Sequence, residues 1–312
     1  MGGGRAVATY WTYRGLAVAL GRMPEPLARG IASAVARTMS LRGGLGSPRA
    51  MNERHLRRVL ASEGGGGGRG VDVEPDVALV RRWSRRTFGE YSRYWVDGAR
   101  LPFVDEAGVR ARFRFERGEE HLRSAVAQGQ GVVLALPHVG SWEWGGAWLA
   151  LEGAPMTAVV ERLEPEQLFE WFVGQRAAMG LTAVPLGEGS GPALLRALKQ
   201  GKVAGLISDR DLAGHGVEVE FFGERTTLPG GAATLALRTG AALLPAVVYS
   251  GPGNWHTGVV HPPLDTTRSG SLRADVARLT QEMARAFEEF IRRRPEQWHL
   301  YQANWPSDRA AP

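Results

Sequence analysis

Hydrophobic and polar positions recur with a helical period over roughly the first 100 residues. Leu27, Ile31, Val35 and Met39 are spaced four residues apart, which predicts a helix over residues 24–41. The same period predicts three further helices, over residues 8–21, 50–63 and 75–102. A glycine-rich stretch at residues 63–70 is predicted to be a loop, because no strand precedes it as a dinucleotide-binding turn would require.

From about residue 119 the pattern changes to short apolar runs separated by helical segments. Buried strands are predicted over residues 131–138, 156–161, 181–186, 202–208 and 242–250. Because strands and helices alternate, we predict an α/β fold with a mostly parallel central sheet flanked by helices. Residues 217–222 alternate in polarity and predict an edge or antiparallel strand, and a long arginine-rich helix is predicted at about 271–294.

This pattern predicts a single domain over residues 1–312. Residues 119–306 would form its α/β catalytic core, and residues 1–100 a mainly helical, basic, membrane-facing extension. The first 100 residues carry 17 arginines and eight acidic side chains, a net charge of +9, whereas the remaining 212 residues sum to −3. Such a basic region favours an anionic partner, either a membrane surface or nucleic acid.

A membrane surface is the partner that we expect for the basic extension. Tyr10, Trp11 and Tyr13 lie near one end of the first predicted helix, and aromatic residues with arginines favour the water–lipid boundary. Arg14 interrupts the longest apolar run, so the sequence predicts neither a spanning helix nor a signal peptide. No nucleic-acid-binding module is recognisable, and we expect no nucleic-acid partner.

Several kinds of catalytic machinery are missing from the sequence. The chain has no cysteine, which excludes disulfides, thiolate metal sites and a cysteine nucleophile. It also has no G-x-S-x-G elbow, no phosphate-binding loop and no H-E-x-x-H zinc motif. We therefore expect no metal site, and an enzyme with this sequence would use a histidine base for direct transfer.

One histidine stands out by its position in the predicted fold. Two of the seven histidines are followed by an acid five residues later, His138 by Glu143 and His215 by Glu220. Only His138 also follows a predicted buried strand and precedes a predicted helix. The alternative is a histidine in an ordinary turn, with Glu143 on a solvated helix face.

The predicted strand ends bring further acids towards His138. Ligands of open α/β sheets bind at the carboxyl ends of the strands, and Asp209 and Asp211 follow another strand end. A neutral imidazole can take a proton from an alcohol that attacks an acyl carbonyl. A carboxylate on the other ring nitrogen would fix the tautomer and stabilise the imidazolium. The sequence thus predicts a proton-transfer site.

The segment "LPHVGSWEWGG" resembles the H-x-x-x-x-[D/E] signature of the glycerolipid and lipid A acyltransferase superfamily. The similarity runs from about residue 50 to 306 and includes "EYSRYWVDGARLP" and "RRRPEQWHLYQANWP". Over this length the chain resembles the phosphatidylinositol mannoside acyltransferase family.

The resemblance implies a specific reaction and place. Members of that family move a fatty acyl chain from acyl-CoA, a co-substrate, to a mannose hydroxyl of a phosphatidylinositol mannoside. They are peripheral enzymes at the cytoplasmic face of the plasma membrane and need no cofactor or metal. His138 would be the base, Glu143 the motif acid and Asp209 a second acid, and either acid could pair directly with His138. The implied substrate-binding residues are Glu161 and Arg176 at the head group, and Arg210 and Arg225 at phosphate.

Other interpretations stay open at this point. Each of the four substrate-binding charges could instead be a solvated surface charge. A lipid A type acyltransferase with an acyl carrier protein donor is the nearest alternative function. A non-catalytic lipid-binding protein of the same fold is an alternative of a different class, although an intact His138–Glu143 pair argues against it.

Overall fold

The computed structural model describes residues 2–41, 47–63 and 76–310, with side chains from residue 7 to residue 309 of these ranges. Of the loop predicted over residues 63–70, Glu63 is the last residue of a helix and residues 64–70 lie outside these ranges. Helices α1–α12 span Gly2–Arg22, Glu25–Leu41, Pro48–Glu63, Val77–Arg100, Glu106–Arg112, Glu119–Ala127, Trp142–Leu151, Glu166–Ala178, Ser190–Lys199, Gly231–Thr239, Leu272–Arg293 and Pro306–Ala310. Strands β1–β9 span Phe113–Arg117, Val132–Leu136, Met156–Val160, Thr182–Pro185, Val203–Ile207, Val217–Phe221, Glu224–Leu228, Ala242–Ser250 and His256–Val260.

A seven-stranded sheet forms the centre of the molecule, in the order β1-β9-β8-β2-β5-β3-β4. Its neighbouring strands pair in parallel except for β8 and β9, which are antiparallel. All five residues of β2 are buried, because helices cover both faces of the sheet. Val133 and Ala135 point into the core formed with α10 and α11, whereas Leu134 points into the core formed with α7. The predicted fold class, a mostly parallel sheet flanked by helices, is confirmed.

Three strands, β1, β7 and β9, were not predicted from the sequence. Strand β1 has the sequence "FRFER", whose charges hide the apolar run expected of a strand, and it lies at the edge of the sheet. Strand β9 lies beside it, antiparallel to β8. The alternating segment at residues 217–222 is the antiparallel strand β6, but it pairs with β7 in a separate two-stranded hairpin.

Helix α2 presents its apolar stripe to the outside of the molecule. The four large side chains that predicted this helix are between 42% and 55% exposed. The small side chains Ala28 and Ala36 are buried instead, and Ala28 packs with Leu20 and Val96 of the neighbouring helices. Within the described ranges, no helix has both the length and the apolar character needed to cross a bilayer.

The connection from β2 to α7 passes very close to β8. Gly140 has φ +62°, a backbone conformation in which a residue with a side chain is strained. A Cβ on it would lie 2.0 Å from the Val248 carbonyl oxygen. The loop of residues 137–141, which we call the motif loop, therefore requires glycine at this position.

We expect Gly140→Ala to lower the free energy of unfolding by about 3 kcal/mol, from left-handed strain plus the clash with Val248. Gly153→Ala is the matched control, because Gly153 has φ +77° and a Cβ on it would meet nothing within 4 Å. Gly153→Ala should lower the free energy of unfolding by the left-handed strain alone, about 1 kcal/mol. Urea unfolding measures both variants, and equal losses would contradict the close approach.

Candidate active site

The sheet itself brings His138 and Asp209 together. Strands β2 and β5 are parallel neighbours in which Leu136 pairs with Ile207, the last residue of each strand. His138 and Asp209 each lie two residues beyond these ends, so they meet at the same edge of the sheet. Asp209 Oδ1 lies 2.6 Å from His138 Nδ1, and Asp209 Oδ2 accepts a hydrogen bond of 3.0 Å from the His138 amide.

The carboxylate of Asp209 is completely buried. Oδ2 accepts a further hydrogen bond of 2.8 Å from Trp298 Nε1. Burial acts to raise the pKa of Asp209, but the charge of His138 and the hydrogen bonds from His138 and Trp298 outweigh it, so this pKa is lowered. Because an ionised carboxylate can only accept, Nδ1 of His138 carries the proton and Nε2 is the basic nitrogen.

Glu143 lies in the first turn of α7 and does not hold the His138 ring. Its Oε1 accepts hydrogen bonds from the Tyr94 hydroxyl at 2.9 Å and from Arg176 at 3.2 Å. Burial and the Glu143 charge raise the pKa of Tyr94 well above its ordinary value, so the hydroxyl remains a donor. Oε2 of Glu143 is buried without a hydrogen-bond partner. Of the two acids that the sequence left open as the partner of His138, the geometry selects Asp209.

His138 and Glu143 line a cavity of about 860 Å³. Its walls are mainly apolar, and its volume is that of a site for a sizeable ligand, about 300–1,000 Å³. Helices α1, α4 and α8 contribute one set of apolar side chains: Leu16, Leu20, Trp95 and Phe172, with Met179 directly after α8. Strands β3 and β5 with helices α9 and α10 contribute a second set: Val159, Leu194, Leu195, Leu206 and Leu235.

Three of the four predicted substrate-binding residues line this cavity. Glu161 follows β3, Arg210 follows Asp209, and Arg176 reaches it from α8. Arg176 also lies over the rings of Trp142 and Phe172 while it pairs with Glu143.

Arg225, the fourth residue predicted to bind substrate, does not line the cavity. It lies on β7, where alternate residues face outwards, and its side chain is 85% exposed. Its guanidinium pairs with Glu218 on the adjacent strand at 3.0 Å. The sequence could not separate the two faces of this hairpin, because β7 was not predicted.

The sequence analysis missed His299 as a residue of the site. His299 lines the cavity, and its amide donates a hydrogen bond of 2.7 Å to the carbonyl of His138. Burial, together with the charge of His138, lowers the pKa of His299 to about 3, so its ring is neutral. Its spacing gives no signal, because no acid lies five residues downstream, although the segment "QWHLY" belongs to the stretch that carries the family resemblance.

The described part of the chain contains no group of three or more histidine, aspartate or glutamate side chains placed to hold a metal ion. The geometry offers an oriented imidazole, a buried carboxylate and an apolar cavity. These parts can move a proton from an alcohol at the wall of a lipid-sized site.

Comparison with known proteins agrees with this chemistry. Residues 73–307 match the family model described as bacterial lipid A biosynthesis acyltransferase. The phosphatidylinositol mannoside acyltransferase of Mycobacterium tuberculosis is 37% identical over 305 residues, 96% of this chain and 90% of that protein. Its namesake in Mycolicibacterium smegmatis is 37% identical over 289 residues, 92% of this chain and 88% of that protein. A lipid A biosynthesis acyltransferase of Haemophilus influenzae is 26% identical over 209 residues, 62% of this chain and 61% of that protein.

We expect Asp209→Asn to lower kcat by about 10²- to 10⁴-fold with little change in KM, because an amide can impose the wrong tautomer on His138. Glu143→Gln is the matched substitution, and its loss should be smaller, since the glutamine oxygen can still accept from Tyr94 and Arg176. Steady-state kinetics on variants with native thermal unfolding measures both. A larger kcat loss for Glu143→Gln would reverse the assignment.

Proposed function

Because the chain belongs to the bacterial lipid A biosynthesis acyltransferase family and is therefore an acyltransferase, we propose that it acylates a mannose hydroxyl of a phosphatidylinositol mannoside. The donor in this proposal is acyl-CoA. The similarity supports this acceptor, because the match to proteins named for it covers 96% of this chain, against 62% for the lipid A enzyme. The observation that carries the proposal is the His138–Asp209 pair at the wall of a large apolar cavity.

His138 acts as the general base in this proposal. Its Nε2 takes the proton of the mannose hydroxyl while that oxygen attacks the thioester carbonyl. A carbon–oxygen bond forms, the carbon–sulfur bond breaks, and the imidazolium returns its proton to the leaving sulfur of coenzyme A. Asp209 stabilises the imidazolium between these two transfers, so His138 ends the cycle neutral.

In this proposal the amides of the first turn of α7 stabilise the negative charge that develops on the carbonyl oxygen. Trp142 and Glu143 begin this helix and line the cavity, and the side chain of Ser141 does not cap it. Amides at a helix N-terminus favour an anion. We assign the oxyanion to these amides, with direct transfer between two substrates bound together.

The charged residues of the cavity fit the polar parts of the substrates. Glu161 and Arg176 would bind the sugar head group of the acceptor, and Arg210 would meet phosphate. The apolar walls formed by α9 and α10 and by α1, α4 and α8 would hold acyl chains. A lipid A type reaction is the second candidate, because the matching family model is described as bacterial lipid A biosynthesis acyltransferase. For this candidate we take an acyl carrier protein as the donor.

The proposal is tested by incubating the full chain with acyl-CoA or acyl carrier protein donors and with mannoside or lipid A type acceptors. Mass spectrometry should find the acylated mannoside, formed from acyl-CoA. His138→Ala should lose at least about 10²-fold in rate. His215→Ala is the control, since His215 is an exposed histidine that also has an acid five residues downstream.

Three results would overturn parts of this proposal. A folded His138→Ala variant with the activity of the control would remove His138 from the mechanism. Product formed only with a lipid A type acceptor would replace the mannoside. An acyl adduct on the protein that forms with donor alone and is discharged by acceptor would exclude direct transfer.

The outer face of the N-terminal helices supports a peripheral place on an anionic membrane. Helix α2 exposes its apolar stripe, and α1 exposes Val7 and Trp11. Helix α4 adds exposed arginines: Arg81, Arg82, Arg85 and Arg86. Exposed apolar side chains together with exposed arginines suit the boundary between acyl chains and anionic head groups. We place this face against the cytoplasmic side of the plasma membrane.

We expect the protein to float with anionic vesicles more than with neutral ones, and salt should weaken this binding. Ile31→Ser with Val35→Ser removes part of the stripe and should reduce flotation at any salt concentration. A triple arginine-to-glutamine variant at Arg81, Arg82 and Arg85 should reduce flotation mainly at low salt.

A charge-matched control places the same three substitutions at Arg225, Arg273 and Arg285, which are exposed on other elements. If this control loses as much binding as the α4 variant, net charge and not this face determines the attraction. If neutral and anionic vesicles bind equally and salt has no effect, the membrane assignment of the arginines is wrong.

A further inference from the structure

Residues 297–305, which we call the C-terminal strap, run along the motif loop. Val139 and Trp298 form an antiparallel bridge. The Gly140 amide donates a hydrogen bond of 3.0 Å to the Gln297 carbonyl, and the His299 amide donates one of 2.7 Å to the His138 carbonyl. The strap thereby holds the backbone on both sides of the bridge and fixes the position of the His138 backbone.

The same strap also holds Asp209. Asn304 Nδ2 donates a hydrogen bond of 3.0 Å to the Asp209 backbone carbonyl, and Trp298 Nε1 donates one of 2.8 Å to Oδ2. The other two hydrogen bonds that the described structure gives this carboxylate come from His138 itself. Trp298 is thus the donor that fixes the carboxylate independently of its catalytic partner.

The indole of Trp298 has little freedom to move. It is 1% exposed and packs against the rings of His55, Phe221 and Phe222 at centroid distances of 5.3, 6.2 and 5.8 Å. With Oδ2 held by a rigid donor, the carboxylate cannot rotate about its χ2 angle. Oδ1 then stays directed at His138 Nδ1.

We propose that Trp298 is a positioning residue for acyl transfer, which acts through Asp209 to set the orientation and the proton affinity of the His138 ring. The proposal rests on the proposed function, because it takes His138 as the base. Trp298 itself touches no reacting atom.

The indole N–H has a predictable effect on pH dependence. A hydrogen bond to an ionised carboxylate disperses its charge, so Asp209 attracts the proton of the imidazolium less strongly. Without this bond the imidazolium would persist to higher pH. The acid limb of the pH profile of kcat/KM, which reports on the pair as a whole, would therefore move to higher pH. The other titratable groups around the pair stay the same in every variant below: Tyr94, Glu143, Arg176, Arg210, Asp211 and His299 from the cavity. His55 lies against the opposite side of Trp298.

The strap contains a matched control for this test. Trp305 is also 1% exposed, but its Nε1 donates to the carbonyl of Phe221 at 3.2 Å, away from the pair. We expect Trp298→Phe to lower kcat about tenfold with KM within about threefold, and to move the acid limb up by about one pH unit. Trp305→Phe makes the same chemical change and should leave the acid limb at its wild-type position.

A second variant covers the case in which Trp298→Phe does not fold. Replacement of Trp298 by 3-benzothienylalanine keeps the bicyclic ring and exchanges the N–H for sulfur, so only the hydrogen bond is lost. It should show the same upward movement of the acid limb as a folded Trp298→Phe.

The outcomes separate the two proposals. If His138→Ala retains full activity, the general-base role of His138 in the proposed function fails. If His138→Ala is inactive but the Trp298 variants keep the wild-type acid limb, or move it down, the positioning role of Trp298 is overturned. An equal upward movement in Trp305→Phe would overturn it as well, because the effect would then not depend on the bond to Asp209.

Discussion

The negative charge of Asp209, which is completely buried, is the constraint on which the site depends. Removing a carboxylate from water costs several kcal/mol unless donors replace the lost hydration. The register of β2 and β5 supplies two donors from His138, and the C-terminal strap supplies the third from Trp298. Each of these donors has a fixed place in the fold. The hydrogen bonds that stabilise the buried charge therefore also orient the imidazole of His138.

The sequence predicted the central elements of the fold because their burial pattern is simple. Strand β2 has helices on both faces, so it appears as a continuous apolar run with no polar interruption. Strand β1 could not be recognised, because as an edge strand it keeps charged side chains. For α2 the period predicted the helix but not its orientation. Its small residues, not its large ones, face the protein, since Ala28 and Ala36 allow the close packing.

Position in the fold predicted the site better than spacing along the chain did. His138 and Asp209 were both found because each follows a buried strand, and parallel neighbouring strands bring such residues together. Spacing alone suggested that Glu143 would face the ring, but α7 begins at Trp142 and directs this side chain to Tyr94 and Arg176. The roles of Trp298 and His299 could not be predicted, because they depend on how a segment distant in sequence returns to the motif loop.

That return of the chain determines when Asp209 receives its third donor in a newly made protein. Trp298 lies 89 residues after Asp209 and Asn304 lies 95 residues after it. Domains begin to fold from the N-terminus during synthesis, so α1 and α2 leave the ribosome long before the strap exists. Helices α1 and α2 are therefore complete while the His138–Asp209 pair still lacks the hydrogen bond from Trp298. With the proposed membrane contact, the order of synthesis thus separates the time at which this face can meet a bilayer from the later time at which the His138–Asp209 pair is complete.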